Sequence, residues 1–368
     1  MKRISFTVIN DLVTDQRVHR SAQTIWEEGD DVILIGRKLP NSLPLNRTYK
    51  TARLKLFFIH GSFFYLEYNI RLFFFLLFKK LDILVAIDLD TLPANYLVSV
   101  IRRKPLVYDA HELFTEMPEL VGRNRVKNIW KKIEKTFLPK IDYSYTVCSS
   151  IAKTYHKLYG IDMKVVRNLP FKKNPQLPIK ESGLIPKTNF VLYQGSINKG
   201  RGLEMLIDAF QYIDEFGCLI VGDGDIINEL KERVQTKQLE QKVIILGRVP
   251  FDDLYPITCR ASIGVSIEEN LGMNYFYALP NKLFDYIQAR VPVLVSDFPE
   301  MKKIVEDYQI GEILESREPE KLAQQLKSMI DSNHREHWKQ NLEKAAGELN
   351  WEKEKIKMLE IFNSLKMR

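Results

Sequence analysis

Short runs of Val, Ile, Leu and Phe, bounded by turn residues, alternate with stretches of helical period along the whole chain. Arg3 to Ile9, Asp31 to Ile35, Ile83 to Ile87, Pro105 to Tyr108 and Tyr143 to Thr146 are the runs of the first half. Phe190 to Gln194, Gly217 to Val221, Lys242 to Leu246, Ile263 to Ser266 and Val291 to Ser296 are those of the second. Each is too brief for a helix and most lack polar alternation, the pattern of strands buried on both faces. Such strands separated by helices predict parallel sheets with helices on either side. Between the halves, the stretch from Arg167 to Lys187 has four prolines among many polar residues and reads as a linker. With 368 residues there is material for two cores. The expectation is an α/β chain of two doubly wound, Rossmann-like domains, residues 1–170 and 171–349, facing across a cleft where the strands' carboxyl ends bind ligands.

Composition narrows the function classes. The formal charge of +7 draws phosphates, anionic lipid or nucleic acid without choosing among them. No zinc-finger, RNA-recognition or helix-turn-helix pattern is present, so nucleic acid is not an expected partner. Cys148, Cys218 and Cys259 have no metal-ligand spacing and suit packing as small hydrophobes in a reducing compartment. The opening MKRISFTVIN runs into a strand pattern without the apolar region of a signal peptide, and a cytoplasmic protein is expected. Residues 53–80 are rich in Phe, Leu and Tyr beside Arg53, Lys55, Arg71, Lys79 and Lys80. The run Leu72 to Phe78 is too short to span a bilayer, which takes about 20 residues. Two readings stand for this segment: an interfacial contact with the inner face of a membrane, or a buried helix with snorkelling ends.

Several segments carry chemistry. In LPNKLFDYIQARVPVLVSDFP, Leu279 to Lys282 reads as a loop, Leu283 to Ala289 as a helix and Val291 to Ser296 as a strand. The amides of the first turn, the helix dipole and Lys282 suit a diphosphate, and Asp285 suits a ribose diol. Gly195 to Gly202 follows a strand and opens a helix. Its glycines let the backbone approach an anion, and Lys199 and Arg201 can neutralise it. Gly222 and Gly224 form a Gly-x-Gly turn after the next strand. Val107-Tyr108-Asp109-Ala110-His111-Glu112 ends a first-half strand on an imidazole. Asp88-Leu89-Asp90 has the look of a metal motif, but it lies in the first half while the phosphate cations lie in the second, so no metal site is expected.

Taken in this order, the segments resemble the family 4 (group 1) glycosyltransferases of the GT-B fold, of the type that builds bacterial cell-surface polysaccharide. Pro280, Lys282, Asp285, Tyr286, Ala289 and Pro292 fall in register with the family's Pro-x-Lys-x-x-Glu-Tyr-x-x-Ala-Gly-x-Pro pattern, with Asp285 for Glu and Arg290 for Gly. By that resemblance Arg201 stands on the phosphate-binding Lys and Gly202 on its Gly. Ser196 replaces the family's Arg, with Lys199 as its substitute. Gly195, Gly222, Gly224, Arg248, Asn281, Leu283 and Asp285 then surround the nucleotide, and His111 lies beside the reacting sugar. Asn10, Asp11 and Asp15 to Val18 are similar to the family's first loop and helix start. The family's first sugar-site Glu falls on Tyr277, which leaves Glu269, Asn274 or amides between 270 and 277 for that role. A terminal helix, residues 350–368, is implied to pack back on the first domain.

The resemblance implies a retaining glycosyltransferase with His111, Arg201 and Lys282 as its catalytic residues. It would move a sugar from a UDP- or GDP-sugar to a saccharide or lipid-linked acceptor, without a metal or other cofactor. The alternatives are an isomerase like the nucleotide-sugar 2-epimerases, or a non-catalytic nucleotide-sugar-binding protein.

Overall fold

The computed structural model describes residues 1–13, 15–120, 122–175, 186 and 188–366. The stretch read as a linker falls mostly on 176–185 and 187, outside the described residues. The chain divides into two compact units. Unit 1 is Met1–Asn168 with the chain from Glu354 onward, and unit 2 is Leu169–Lys353.

Unit 1 is built on a parallel sheet of seven strands in the order β3-β2-β1-β4-β5-β6-β7. They are β1 Arg3–Thr7, β2 Asp31–Lys38, β3 Lys50–Lys55, β4 Ile83–Ile87, β5 Leu106–Ala110, β6 Tyr143–Thr146 and β7 Lys164–Val165. Every residue of β4 and β5 is buried; β4 is continuously apolar, while β5 also buries Asp109. The strand order reverses at β1 and β4, so the carboxyl ends of the central strands mark this unit's switch point. The helix Gln16–Glu27 starts where Asp15 caps it, its carboxylate accepting from the Val18 amide. Residues 50–55 belong to strand β3, and helix Gly61–Phe78 follows. The terminal helix Trp351–Lys366 belongs to unit 1 from Glu354 onward. Phe362 stacks on Phe6 at 6.0 Å, Lys366 pairs with Asp30 at 2.6 Å, and Glu354 binds Arg167 at 3.0 Å.

Unit 2 holds a parallel sheet of six strands, ordered β10-β9-β8-β11-β12-β13. They are β8 Phe190–Gln194, β9 Gly217–Val221, β10 Val243–Gly247, β11 Ile263–Ser266, β12 Val293–Val295 and β13 Gly311–Ile313. Two apolar clusters lie on its opposite faces, and β8 divides between them with period two. Val191 and Tyr193 join one, while Phe190 and Leu192 join the other. Both units are therefore the doubly wound parallel sheets that the alternation predicts.

One boundary moves. The expected loop from Leu279 to Lys282 is shorter, because Pro280 is the N-cap and the helix is Asn281–Ala289. Pro280 holds φ at −73°, and its carbonyl accepts from the Leu283 amide at 3.2 Å, closing a turn around Asn281 and Lys282. Lys282 is thus part of the first helical turn.

Candidate functional site

In unit 2 the ends of β8 and β9 turn sharply at glycine. Gly195 has φ +132° and Gly222 φ +151°, conformations that L side chains rarely adopt. A Cβ on Gly222 would stand 1.8 Å from the Gly195 carbonyl oxygen, and one on Gly224 2.4 Å from that of Ile197. The two turns are stacked backbone on backbone, with Ile197 N–H donating to Asp223 O at 2.9 Å. Gly222→Ala is therefore expected to destabilise the chain by about 2–4 kcal/mol, since rigid backbone must shift. Gly347, in the helix Arg335–Glu348, has open space around its Cβ position. Gly347→Ala should change stability in the opposite direction, by up to about 1 kcal/mol. Urea unfolding of both variants checks the pair.

Above these turns sits a buried ionic cluster. Glu268 has no exposed surface, and its carboxylate accepts from Lys282 Nζ at 2.9 Å and from Ser266 Oγ at 2.9 Å. Arg201 Nη1 lies 3.7 Å from the same carboxylate. Burial works against the Glu268 charge, but Lys282 and Arg201 outweigh it and hold the group below the usual carboxylate range. Lys282 Nζ also stands 3.9 Å from the centre of the Tyr193 ring, and Arg201 4.9 Å from that of Tyr275. The Arg201 Nε–H is buried and makes no hydrogen bond. Gly195 adjoins the cluster: a Cβ there would touch Lys282 Cε at 3.7 Å. Cations, glycine turns and the first turn of helix Asn281–Ala289 thus converge on one small volume, the arrangement that receives an anion.

The loop after β11 is packed onto the glycine-rich turn. Glu269 N–H donates to Gly200 O at 2.8 Å and Tyr275 Oη to Lys199 O at 3.3 Å. Ser296 Oγ and the guanidinium of Arg317 both donate to the Glu268 carbonyl. Asp285 is half-buried one turn along the helix, where Gln194 Nε2 donates to its carboxylate at 3.2 Å. Thr258 Oγ1 in turn donates to Gln194 Oε1 at 2.7 Å, which fixes the amide's orientation.

Of the residues expected from sequence, Gly195, Arg201, Gly202 and Lys282 are gathered with Gly222 and Gly224. Ser196, Lys199 and Asn281 are exposed at the rim, and Arg248 is exposed beyond the end of β10. Leu283 is wholly buried in the apolar core, and its amide donates to the Pro280 carbonyl. Glu269 is partly buried, and its backbone anchors the loop. Sequence reasoning missed Glu268 as the counter-ion of Lys282, and missed Arg317 and Tyr193 entirely.

In unit 1 a second polar cluster lies at the carboxyl ends of β4 and β5. His111 Nε2 lies 3.0 Å from Asp109 Oδ2, and its Nδ1 lies 3.7 Å from Asp88 Oδ2. The buried Arg17 donates to Asp109 Oδ1 at 2.8 Å. Burial opposes both charges, yet Arg17 and His111 hold Asp109 down to about 2, and Asp109 with Asp88 holds the imidazole above its ordinary value. Asp88 carries φ +55°, a conformation rare for a non-glycine residue. Its Oδ1 accepts the His111 amide at 2.8 Å. Asp90 is buried with Oδ1 unpaired, and burial raises its pKa well above the ordinary carboxylate value. Among the described residues no three His, Cys, Asp or Glu side chains gather as metal ligands.

Residues 176–345 match the family model of group 1 glycosyl transferases. An uncharacterized glycosyltransferase of Methanocaldococcus jannaschii is 26% identical over 168 residues, 45% of this chain and 45% of that protein. The matches span less than half the length of the curated relatives, 45% and 37%. Sucrose-phosphate synthase of Thermosynechococcus elongatus superposes over 100% of both chains with TM-score 0.80 at 16% identity. HepE of Anabaena, solved in complex with UDP-glucose, superposes over 100% of both chains with TM-score 0.73 at 15% identity. At such identities the structural likeness establishes the fold. The chain has the GT-B fold of two Rossmann-like domains, and its residues 176–345 match the group 1 glycosyl transferases.

Proposed function

We propose that the protein is a retaining, family 4-like glycosyltransferase. It moves a sugar from a UDP- or GDP-sugar to a saccharide or lipid-linked acceptor in cell-surface polysaccharide biosynthesis, at the inner face of the cytoplasmic membrane. The observation that carries this reading is the Lys282–Glu268–Arg201 cluster set against the glycine turns at 195 and 222. When the bond from the anomeric carbon to the diphosphate breaks, negative charge collects on the departing phosphate oxygen. Arg201 and Lys282, the latter with two N–H groups beyond the one on Glu268, are assigned to receive it. Asp285, oriented by Gln194, is assigned to the ribose. His111, held towards its cationic form, is assigned to a sugar hydroxyl.

HepE was solved with UDP-glucose, which supports uridine donors as the first to try. A thermal-shift panel of UDP, GDP and their sugars is expected to show one nucleotide raising the melting temperature. Saturation at one hundred times Kd adds about 2.7 kcal/mol of stability. A panel without any shift at millimolar ligand would overturn the donor assignment. Incubation with donor alone separates transfer from isomerisation, and conversion of the donor to its epimer would sink the transferase reading.

A further inference from the structure

Unit 1 presents a face unlike the rest of its surface. Along helix Gly61–Phe78, Phe63, Leu66, Ile70, Phe74 and Phe78 are all exposed, Phe63 at 64% and Phe78 at 80%. Their spacing of three and four residues makes one continuous apolar row, while Phe64, Tyr68, Leu72 and Leu76 are buried behind it. The neighbouring helix Asp88–Arg102 leaves Leu97, Val100 and Ile101 exposed as well. The guanidinium of Arg102 donates to the carbonyls of Leu77 and Lys79, which ties the carboxyl ends of the two helices together. No described helix is long and apolar enough to cross a membrane, so this face has no bilayer-spanning explanation.

Cations border the apolar rows. A cavity of about 470 Å³ opens beside Val100, with Lys2, Arg103, Lys104 and Lys140 in its wall next to Tyr96 and Tyr143. Its two carboxylates are Asp82, which Arg3 holds through two side-chain hydrogen bonds and Lys104 approaches at 3.6 Å, and the exposed Asp142. On the other flank, helix Asn124–Phe137 packs through Phe137 on Tyr96 and through Trp130 on Tyr65. It exposes Arg125, Lys131, Lys132 and Lys135; Lys131 pairs with Glu116 at 3.3 Å, and the helix's own carboxylate, Glu134, is buried against Tyr155 and Tyr159.

We propose that this face docks on an anionic phospholipid surface, with the apolar rows in the headgroup boundary and the cationic cavity on a lipid phosphate. Apolar rows alone would bind neutral and anionic bilayers alike. The cations around the cavity and on helix Asn124–Phe137 select the anionic one. The inference deepens the lipid-linked acceptor named above and places the protein where such an acceptor resides.

The test is co-sedimentation with phosphatidylcholine vesicles, with and without phosphatidylglycerol. The chain is expected to sediment with the anionic vesicles only and to be released by salt. Arg103→Glu with Lys140→Glu should lower the partition by about tenfold or more. Phe74→Ser with Phe78→Ser should lower it on the anionic vesicles by a similar factor. All four side chains are at the surface, so the melting temperature should stay put. Equal sedimentation with both vesicles, or with neither, overturns the proposal. So does a thermal shift with inorganic phosphate in the absence of vesicle binding. Failure here with nucleotide binding intact removes the surface alone, and loss of nucleotide binding with vesicle binding intact removes the donor site alone.

Discussion

Replacing Lys282 with alanine is expected to cost about 3–5 kcal/mol of stability, because it strands a buried carboxylate. Glu268 has no exposed surface, and the ammonium at 2.9 Å is its nearest cation. Without it, Glu268 keeps the Ser266 hydroxyl at 2.9 Å and an arginine at 3.7 Å. The double variant Lys282→Met with Glu268→Gln should regain much of the loss, since the uncompensated charge is gone. The sign with pH follows from the carboxylate. In the wild type its pKa is depressed, so its contribution is present above about 4.3 and fades as pH falls through the folded value. In Lys282→Ala burial has less to oppose it and the pKa rises, so acid should narrow the gap between variant and wild type. Urea unfolding at several pH values measures all of this, and a variant as stable as wild type at neutral pH would refute the buried-pair account. If the double variant regains stability but not nucleotide binding, the ammonium's role towards a ligand stands apart from its structural one.

The limits of the sequence show in the same cluster. Lys282 was legible because Pro280 and the helix after it are local signals, and Asp285 follows at one turn. Glu268 was visible as a loop carboxylate, but its pairing spans 14 residues of chain with only the short helix Met273–Phe276 between, too little for a period to apply. Arg317 reaches the Glu268 carbonyl from 49 residues downstream. Tyr193 sits in a strand whose apolar pattern explains it fully without a site. The sheets divide the same way. Central strands such as Ile83–Ile87 read clearly because both faces are buried. The edge strand Lys50–Lys55, KTARLK, has one neighbour and a largely wetted surface, so nothing in its composition demanded a strand. Gly311–Ile313 and Lys164–Val165 were missed for the same reason, and for their brevity.

The second large effect is expected in unit 1, at a pair 92 residues apart in sequence. Asp109→Asn leaves the guanidinium of Arg17, 6% exposed, without its anion, at an expected cost of about 3–5 kcal/mol. The pH dependence changes with it. In the wild type the His111 pKa is raised although burial and Arg17 oppose the imidazolium, so its contribution is whole below about 6.5 and is lost as pH climbs through the folded value. Asp109, held at about 2, contributes above about 3.9 and loses that contribution as pH falls towards 2. Asp88, which also faces the ring, has a pKa raised by burial, so it too favours the folded chain less as pH rises. Asp109→Asn removes the strongest attraction on the ring and should flatten the decline on the alkaline side of about 6.5. His111→Gln should flatten it too while sparing the Arg17–Asp109 contact at 2.8 Å, and so cost far less at the acid end. Midpoints of urea unfolding from about pH 5 to 9 separate the two variants. An alkaline decline that persists in both would place its origin outside His111, and would leave Asp109 as the partner of Arg17 alone.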